Sequence, residues 1–208
     1  MNRTKIAVFV SGGGTNLQAL IDAQTSGLLH SGEIALVVSD CEGAFALTRA
    51  ANAGIPALTI TKNVCGGQAE FEARLSEELK AHEIELIILA GFLNILSGDF
   101  TSQWPERILN IHPSLIPSFC GTGMYGLRVH EAALARGVKV TGATVHFVNE
   151  IPDGGRIIAQ KAVEILPGDE PEVLQRRVME QAEWILLPKA AEMVSADILN
   201  GKAEHGND

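Results

Sequence analysis

Asn110 and His112 occupy alternate positions at the end of a short apolar segment that begins at Ile108 and stops at Pro113. In an extended segment, alternate side chains leave the backbone on the same face, so this amide and this imidazole would lie side by side. An amide can donate a hydrogen bond to a developing oxyanion, and an imidazole can move a proton near neutral pH. The pair therefore predicts a catalytic site. The alternative is a strand end whose polar groups are bonded locally.

The elements around this pair alternate between strands and helices. Buried apolar runs predict strands near residues 5–10, 33–39, 57–60, 85–89 and 108–111, and helical patterns separate the first four of them. A further pair of strands, over residues 141–149 and 157–163, is close enough in sequence to be antiparallel. The pattern predicts an α/β fold: a doubly wound, mostly parallel Rossmann-like sheet with an antiparallel strand pair near the C-terminal end. Ligands bind at the carboxyl ends of strands in such sheets, which is where Asn110 and His112 fall.

A glycine-rich segment, Ser11–Gly14, lies between the first strand and the first helix. Thr15 and Gln18 form the pattern of a capping box, and Gly27 marks the end of the helix. Free N–H groups and the positive end of the helix dipole meet at such a position and suit a phosphate. The segment lacks the Lys of a P-loop and the third glycine of a dinucleotide fingerprint, although Asp40 could serve as the ribose-binding acid of the latter. We favour a single phosphate, with a plain tight turn as the alternative.

The composition limits the class of protein. The 208 residues are 46% hydrophobic and carry a formal net charge of −9, which disfavours a broad nucleic-acid-binding face. Cys41, Cys65 and Cys120 form no metal-binding or disulfide pattern, so we expect reduced thiols. The sequence shows no signal peptide and no apolar run long enough to cross a bilayer. We expect a soluble, cytoplasmic protein.

Two loops and one histidine have both a functional and a structural interpretation. The apolar segment 90–96 could form a wall for a flat heteroaromatic ligand or could pack beneath a later segment. Asp153, before two glycines, could belong to the site or could simply form a turn. The glycine-rich segment 121–126 and the polar segment 61–67 are expected to be mobile. For His130 we favour a solvated or helix-packed side chain over a site residue.

Three stretches, Val10–Asp22, Asn110–Pro117 and Val145–Gly155, resemble the phosphoribosylglycinamide formyltransferase family. The similarity extends from about Lys5 to Pro188. It implies transfer of the formyl group of N10-formyltetrahydrofolate, a co-substrate, to the amine of glycinamide ribonucleotide in purine biosynthesis, without a metal. The alternatives are a related formyltransferase with another amine acceptor, a formyltetrahydrofolate hydrolase, and a non-catalytic Rossmann-type nucleotide-binding module.

The resemblance also implies roles for individual residues. The catalytic residues would be Asn110, His112 and Asp153. The ribonucleotide would be bound by Gly14, Thr15, Asn16, Gly91 and Glu183. The folate would be enclosed by the backbone of Leu93, Asn94, Ile95 and Leu96 and of Asn149, Glu150, Ile151 and Pro152. Thr144 and His146 would support Asp153 from beneath. This chain departs from the family at Gln68 and Asn94, where arginines are common.

The sequence contains no internal repeat and no dividing linker. We expect a single formyltransferase domain over residues 1–200, with a phosphate-binding half over about 1–100 and a folate-binding half over about 101–200. Residues 201–208 would form a disordered tail. The expected partners are small-molecule substrates, with no nucleic acid and no membrane, and the protein would be a monomer or a homodimer.

Overall fold

The structure, a computed structural model, describes residues 2–205 of the chain, and the side chains of residues 2–201. Within this range one sheet contains seven strands: β1 (Thr4–Val10), β2 (Gly32–Ser39), β3 (Ala57–Thr59), β4 (Leu86–Leu89), β5 (Ile108–His112), β6 (Val140–Phe147) and β7 (Ile157–Glu164). Their order is β3-β2-β1-β4-β5-β6-β7. The pairs from β3 to β5 are parallel, and β6 is antiparallel to both β5 and β7. The predicted fold class is confirmed.

Helices cover both faces of the sheet. They are α1 (Thr15–Ser26), α2 (Phe45–Asn52), α3 (Lys62–Cys65), α4 (Gln68–Ala81), α5 (Gly98–Thr101), α6 (Leu127–Arg136), α7 (Pro171–Val178) and α8 (Trp184–His205), and a π-helical turn (Met179–Glu183) joins α7 to α8. Side chains of β1 alternate between two core clusters: Ile6 and Val8 pack with α1, α2, α7 and α8, whereas Ala7 and Phe9 pack with α4 and α5. Burial on both faces explains the continuous apolar run of β1.

The strand order places a crevice at the centre of the sheet. β1 has β2 on one side and β4 on the other, so the chain leaves β1 and β4 in opposite directions across the sheet. This is the switch point at which open α/β sheets bind ligands. The glycine-rich loop follows β1, Gly91 follows β4, and His112 ends β5. The topology therefore brings these three segments to one edge.

The start of α1 differs from the sequence prediction. The N-cap is Gly14, in the left-handed conformation with φ +70°, and Thr15 is the first helical residue. The predicted capping box at Thr15 is therefore wrong. The Gln18 side chain instead donates to Asp22 and accepts from Arg49. Glycine at the cap lets the chain turn sharply and approach α2 closely, as described below.

Two further predictions need correction. Residues 61–67, expected to be a mobile loop, contain the one-turn helix α3, in which the Val64 N–H donates to the Thr61 hydroxyl at the N-cap. Helix α8 continues through Pro188, and the irregularity lies earlier, at the π-helical turn. The helix reaches His205, so it includes part of the expected disordered tail, and residues 206–208 lie outside the described residues. Between residues 2 and 205, we find no helix long and apolar enough to cross a membrane.

Candidate active site

A cleft of about 620 Å³ opens at the carboxyl ends of β1, β4 and β5. Asn110 and His112 line it side by side, as their alternation in β5 predicts. His112 is 4% exposed, and Asn110 is half-buried. The antiparallel neighbour β6 places His146 opposite Asn110 and Thr144 opposite His112. Asn110 and His112 therefore line the cleft, and each is paired with a polar residue of β6.

Asp153 reaches this pair from the loop between β6 and β7. Its backbone is left-handed, with φ +55°, and a turn from Ile151 to Gly154 carries it inward. A Cβ atom at Gly154 would lie 2.7 Å from Ile151, and one at Gly155 would lie 1.8 Å from the Phe147 carbonyl oxygen. Only glycines allow this close approach. The two glycines after Asp153 thus serve to fold its loop back over β5.

The Asp153 carboxylate lies 3.6 Å from Nδ1 of His112. The other ring nitrogen, Nε2, lies 2.8 Å from the carbonyl oxygen of Phe119. A carbonyl oxygen only accepts hydrogen bonds, so Nε2 carries the proton and Nδ1 of the neutral ring is bare. Burial lowers the pKa of His112, although Asp153 and the Phe119 carbonyl oppose the shift. His112 is therefore neutral at pH 7 and presents a basic nitrogen to Asp153.

The pKa of Asp153 lies below its ordinary value. Burial acts to raise this pKa, but the interaction with His146, the positive charge that His112 takes up in acid and a 2.8 Å hydrogen bond from the Gly121 N–H outweigh it. The carboxylate is therefore ionised at neutral pH. Asp153 and His112 together form a proton-accepting pair at the wall of the cleft.

His146 fixes the orientation of Asn110. Its Nδ1 donates to the Phe147 carbonyl oxygen at 2.7 Å, so its Nε2 can accept from the Asn110 amide at 3.1 Å. The same amide lies 3.5 Å from Asp153, which is long for a hydrogen bond. One N–H of Asn110 is thus held by His146, and the other is free of a short bond and can serve a ligand.

Thr144 acts elsewhere than expected. Its hydroxyl donates to the Ser114 carbonyl oxygen at 2.7 Å and accepts from the Ile116 N–H and the Gln160 side chain. These bonds hold the segment that follows β5, not the Asp153 loop. Thr144 faces His112 across the strand pair, so its side chain lies beneath the continuation of β5. Of the two expected supports of Asp153, the structure places only His146 beside that carboxylate.

The cleft is also lined by Gly14, Thr15, Asn16, Gly91 and Glu183. The amide of Asn16 donates to Glu183 at 2.7 Å, in buried surroundings, and the amide oxygen of Asn16 is buried without a partner. Burial raises the pKa of Glu183 to about 7, against the effect of the Asn16 hydrogen bond. A carboxyl group near its pKa at neutral pH can both donate to and accept from a hydroxyl. The π-helical turn that carries Glu183 is a distortion found often at functional sites.

Leu93, Asn94, Ile95 and Pro152 also line the cleft. Leu96 is 6% exposed and packs in the core near α4, whereas Asn149, Glu150 and Ile151 are exposed in the Asp153 loop, outside the cleft lining. The 91–96 segment is held by side chains: Asn94 donates to Asp40 at 2.6 Å, and Gln68 donates to the Ile95 carbonyl at 3.1 Å. Asp40 is thus engaged by the loop, which disfavours its alternative role as a ribose-binding acid.

Several residues that were not assigned to the site from the sequence also line the cleft. Segment 121–126, Gln175, Met179 and His130 all line the cleft. His130 is fully buried, as expected for a helix-packed side chain, and neither ring nitrogen has a hydrogen-bond partner among the described residues. The prediction did not include its position at the cleft. Burial and the nearby His112 lower the pKa of His130 to about 4. Its place next to Val129 and three residues before Ala133, both buried, was the signal that its face of α6 points inward.

The fold and the site together define an α/β enzyme of the acyl-transfer type, in which an amide donor and a proton-accepting pair share a cleft with a glycine-rich loop. The chain belongs to the formyl transferase family, whose model matches residues 4–190. The resemblance to the phosphoribosylglycinamide formyltransferases is thereby confirmed.

Solved structures and curated relatives named as glycinamide ribonucleotide transformylases or phosphoribosylglycinamide formyltransferases are among the proteins that this chain resembles. The structure is similar to glycinamide ribonucleotide transformylase 1 from Symbiobacterium toebii, with a TM-score of 0.87, 40% identity, and coverage of 94% of this chain and 89% of that chain. The chain is 40% identical to the chloroplastic phosphoribosylglycinamide formyltransferase of Arabidopsis thaliana, over 86% of this chain and 61% of the relative. It is 46% identical to the trifunctional purine biosynthetic protein adenosine-3 of Gallus gallus, over 94% of this chain, but spans only 19% of that relative.

Proposed function

We propose that the protein transfers the formyl group of N10-formyltetrahydrofolate to the amine of glycinamide ribonucleotide. The observation that carries the proposal is the contact of Asp153 with His112 beside the Asn110 amide, in a cleft that also contains the glycine-rich loop. The relatives named as transformylases and formyltransferases support the assignment. No protein nucleophile is required, because the substrate amine attacks directly.

The chemistry assigns one task to each side chain. The amine lone pair forms a bond to the formyl carbon, and the bond from that carbon to N10 breaks with its electron pair on N10. Asn110 donates its free N–H to the formyl oxygen as that oxygen becomes anionic. The pair of His112 and Asp153 accepts the proton that the amine loses, directly or through water, and returns a proton to N10. The charges and protons therefore balance without a metal ion.

Two groups of cleft residues suit the two substrates. The N–H groups of the glycine-rich loop and the start of α1, including Gly14, Thr15 and Asn16, would bind the phosphate. Glu183, with its pKa near 7, would bind ribose hydroxyls, and Gly91 would contact the glycinamide end. The folate ring would lie against the backbone of 93–96 and 149–153, where Leu93 and Ile95 are more than 60% exposed.

The remaining expectations are part of this proposal. We propose that residues 1–200 act as one formyltransferase domain with only small-molecule partners. The protein would work in the cytoplasm, where a reducing environment suits its three free thiols, Cys41, Cys65 and Cys120. It would act as a monomer or a homodimer.

The test is a turnover assay with both substrates. Purified protein, shown to be folded by circular dichroism, is mixed with N10-formyltetrahydrofolate and glycinamide ribonucleotide, and deformylation is followed by absorbance. Mass spectrometry should find formylglycinamide ribonucleotide in amounts equal to the deformylated folate. Deformylation without ribonucleotide would identify a hydrolase instead, and no turnover by folded protein would refute the proposal.

A further inference from the structure

Positive charge is missing from the surface where a phosphate would bind. Among the described residues that line the cleft, none is a lysine or an arginine, whereas Asp153 and Glu183 are acidic. A phosphate carrying two negative charges would therefore depend on backbone N–H groups and on charge placed behind them. Binding would then require a group that fixes the direction of those N–H groups.

Two carbonyl groups of the glycine-rich loop are held by residues of α2. The Gly12 carbonyl accepts from the Ala46 N–H at 3.0 Å, and the Gly13 carbonyl accepts from Nε of Arg49 at 2.8 Å. In a planar trans peptide, C=O and N–H point in opposite directions. Holding these two carbonyls against α2 therefore turns the N–H groups of Gly13 and Gly14 away from α2, and both glycines line the cleft.

Arg49 is itself firmly held. Its Nη1 donates to the Gln18 side chain at 3.0 Å, and its guanidinium lies 5.0 Å from the centre of the Phe45 ring. Arg49 does not line the active-site cleft; it lines a neighbouring cavity of about 470 Å³ between α1, α2 and α8. The guanidinium thus approaches the loop from behind, where a bound phosphate would not touch it.

Gly14 is packed tightly against α2. A Cβ atom on Gly14 would lie 2.7 Å from the Ala46 side chain. The loop therefore rests directly on the first turn of α2, and Arg49, one turn further along, completes the contact. A movement of Arg49 would release the Gly13–Gly14 peptide.

We propose that Arg49 is a positioning residue for phosphate recognition: it fixes the Gly13–Gly14 peptide so that its N–H faces the phosphate, and it places a positive charge behind that peptide. The inference rests on the proposed function, in which the phosphate belongs to glycinamide ribonucleotide. Arg49 influences the substrate only through the loop.

The test separates the two substrates. Arg49→Met should raise the KM for glycinamide ribonucleotide about tenfold, the size of one lost charged hydrogen bond, and leave the KM for the folate unchanged. Arg49→Lys should give a smaller but measurable increase, because lysine keeps the charge and lacks the planar fork. Arg74→Met is the matched control, since Arg74 pairs with Glu77 and Glu78 on α4, away from the loop.

Binding of ribose 5-phosphate, measured by calorimetry, supplies a readout that does not need turnover. Arg49→Met should weaken it in parallel with the KM, and the Arg74 variant should not. Wild-type affinity in Arg49→Met, or an equal loss for both substrates, would overturn the inference. If Arg49→Met does not fold, wild-type affinity of Arg49→Lys for ribose 5-phosphate would overturn the inference. Failure of the wild-type enzyme to use glycinamide ribonucleotide would instead refute the proposed function and leave the ribose 5-phosphate comparison valid.

Discussion

Oδ2 of Asp153 lies 3.6 Å from Nδ1 of His112, on the side of the ring that has no hydrogen when His112 is neutral. The opposite side of the ring is committed to the Phe119 carbonyl. Two acceptors therefore face each other, and a proton that arrives between them converts a repulsion into an ion pair. The pair is therefore poised to take the proton of an attacking amine.

Asp153→Asn tests this pair directly. The asparagine keeps an oxygen for the Gly121 N–H but cannot hold the transferred proton, so kcat should fall by about 10²–10⁴ with little change in stability. Steady-state rates and a thermal unfolding curve measure the two effects. Asp197→Asn, at an exposed position of α8, is the control and should behave as wild type. An active Asp153→Asn enzyme would contradict the assigned role.

Glu183→Gln should change how stability depends on pH. The pKa of Glu183 is raised to about 7 in the folded protein, so the folded state holds a proton that the unfolded state releases from about pH 4.5 upward. Its contribution is present below pH 4.5 and is lost as the pH rises through 7, by about 3 kcal/mol at most. Glutamine removes this slope. Denaturant unfolding of both proteins between pH 5 and 8 measures it.

The control for that experiment is Glu180→Gln. Glu180 lies on the same π-helical turn but is exposed and pairs with Arg176. Its unfolding free energy should follow the wild-type pH dependence. Parallel curves for wild type and Glu183→Gln would show that Glu183 is not held in its protonated form.

Gly14→Ala should destabilise the protein more than Gly27→Ala. Both glycines have left-handed backbones, with φ +70° and φ +81°, which costs an alanine about 1–2 kcal/mol. At Gly27 the added methyl group enters open space, but at Gly14 it meets Ala46, which adds about 1–3 kcal/mol of overpacking. Chemical unfolding measures the difference. Equal losses would mean that the loop is not packed against α2.

Gln68→Ala should affect folate binding alone. Gln68 donates to the Ile95 carbonyl, so its loss frees one anchor of the 91–96 segment. We expect the KM for the folate to rise about threefold to tenfold, in line with one lost hydrogen bond, and the KM for the ribonucleotide to stay the same. Gln103→Ala removes a comparable exposed bond to Asp99 and should change neither value. A shift in the KM for the ribonucleotide would contradict the assignment of the 93–96 segment to the folate.

Local sequence patterns predicted the strands of the sheet and the part of the site formed by Asn110 and His112. Apolar runs and glycine punctuation located the strands, and alternation along β5 placed Asn110 and His112 on one face. The cap of α1 was misassigned by one residue because a left-handed glycine replaces the side-chain cap that the Thr15 pattern suggests. The π-helical turn was missed because no sequence pattern marks it, whereas Pro188 is a conspicuous helix breaker that α8 accommodates.

The sequence by itself determined the class of fold and the residue types at the ends of its strands, because these depend on interactions between neighbours in the chain. Only the tertiary structure decided which distant groups meet: Asp153 with His112, Glu183 with Asn16, and Arg49 with the Gly13 carbonyl. Those contacts depend on strand order, on the direction in which a loop folds back, and on glycines that permit close approach. Burial follows from the same packing, and it is burial that shifts the pKa values of His112, His130 and Glu183.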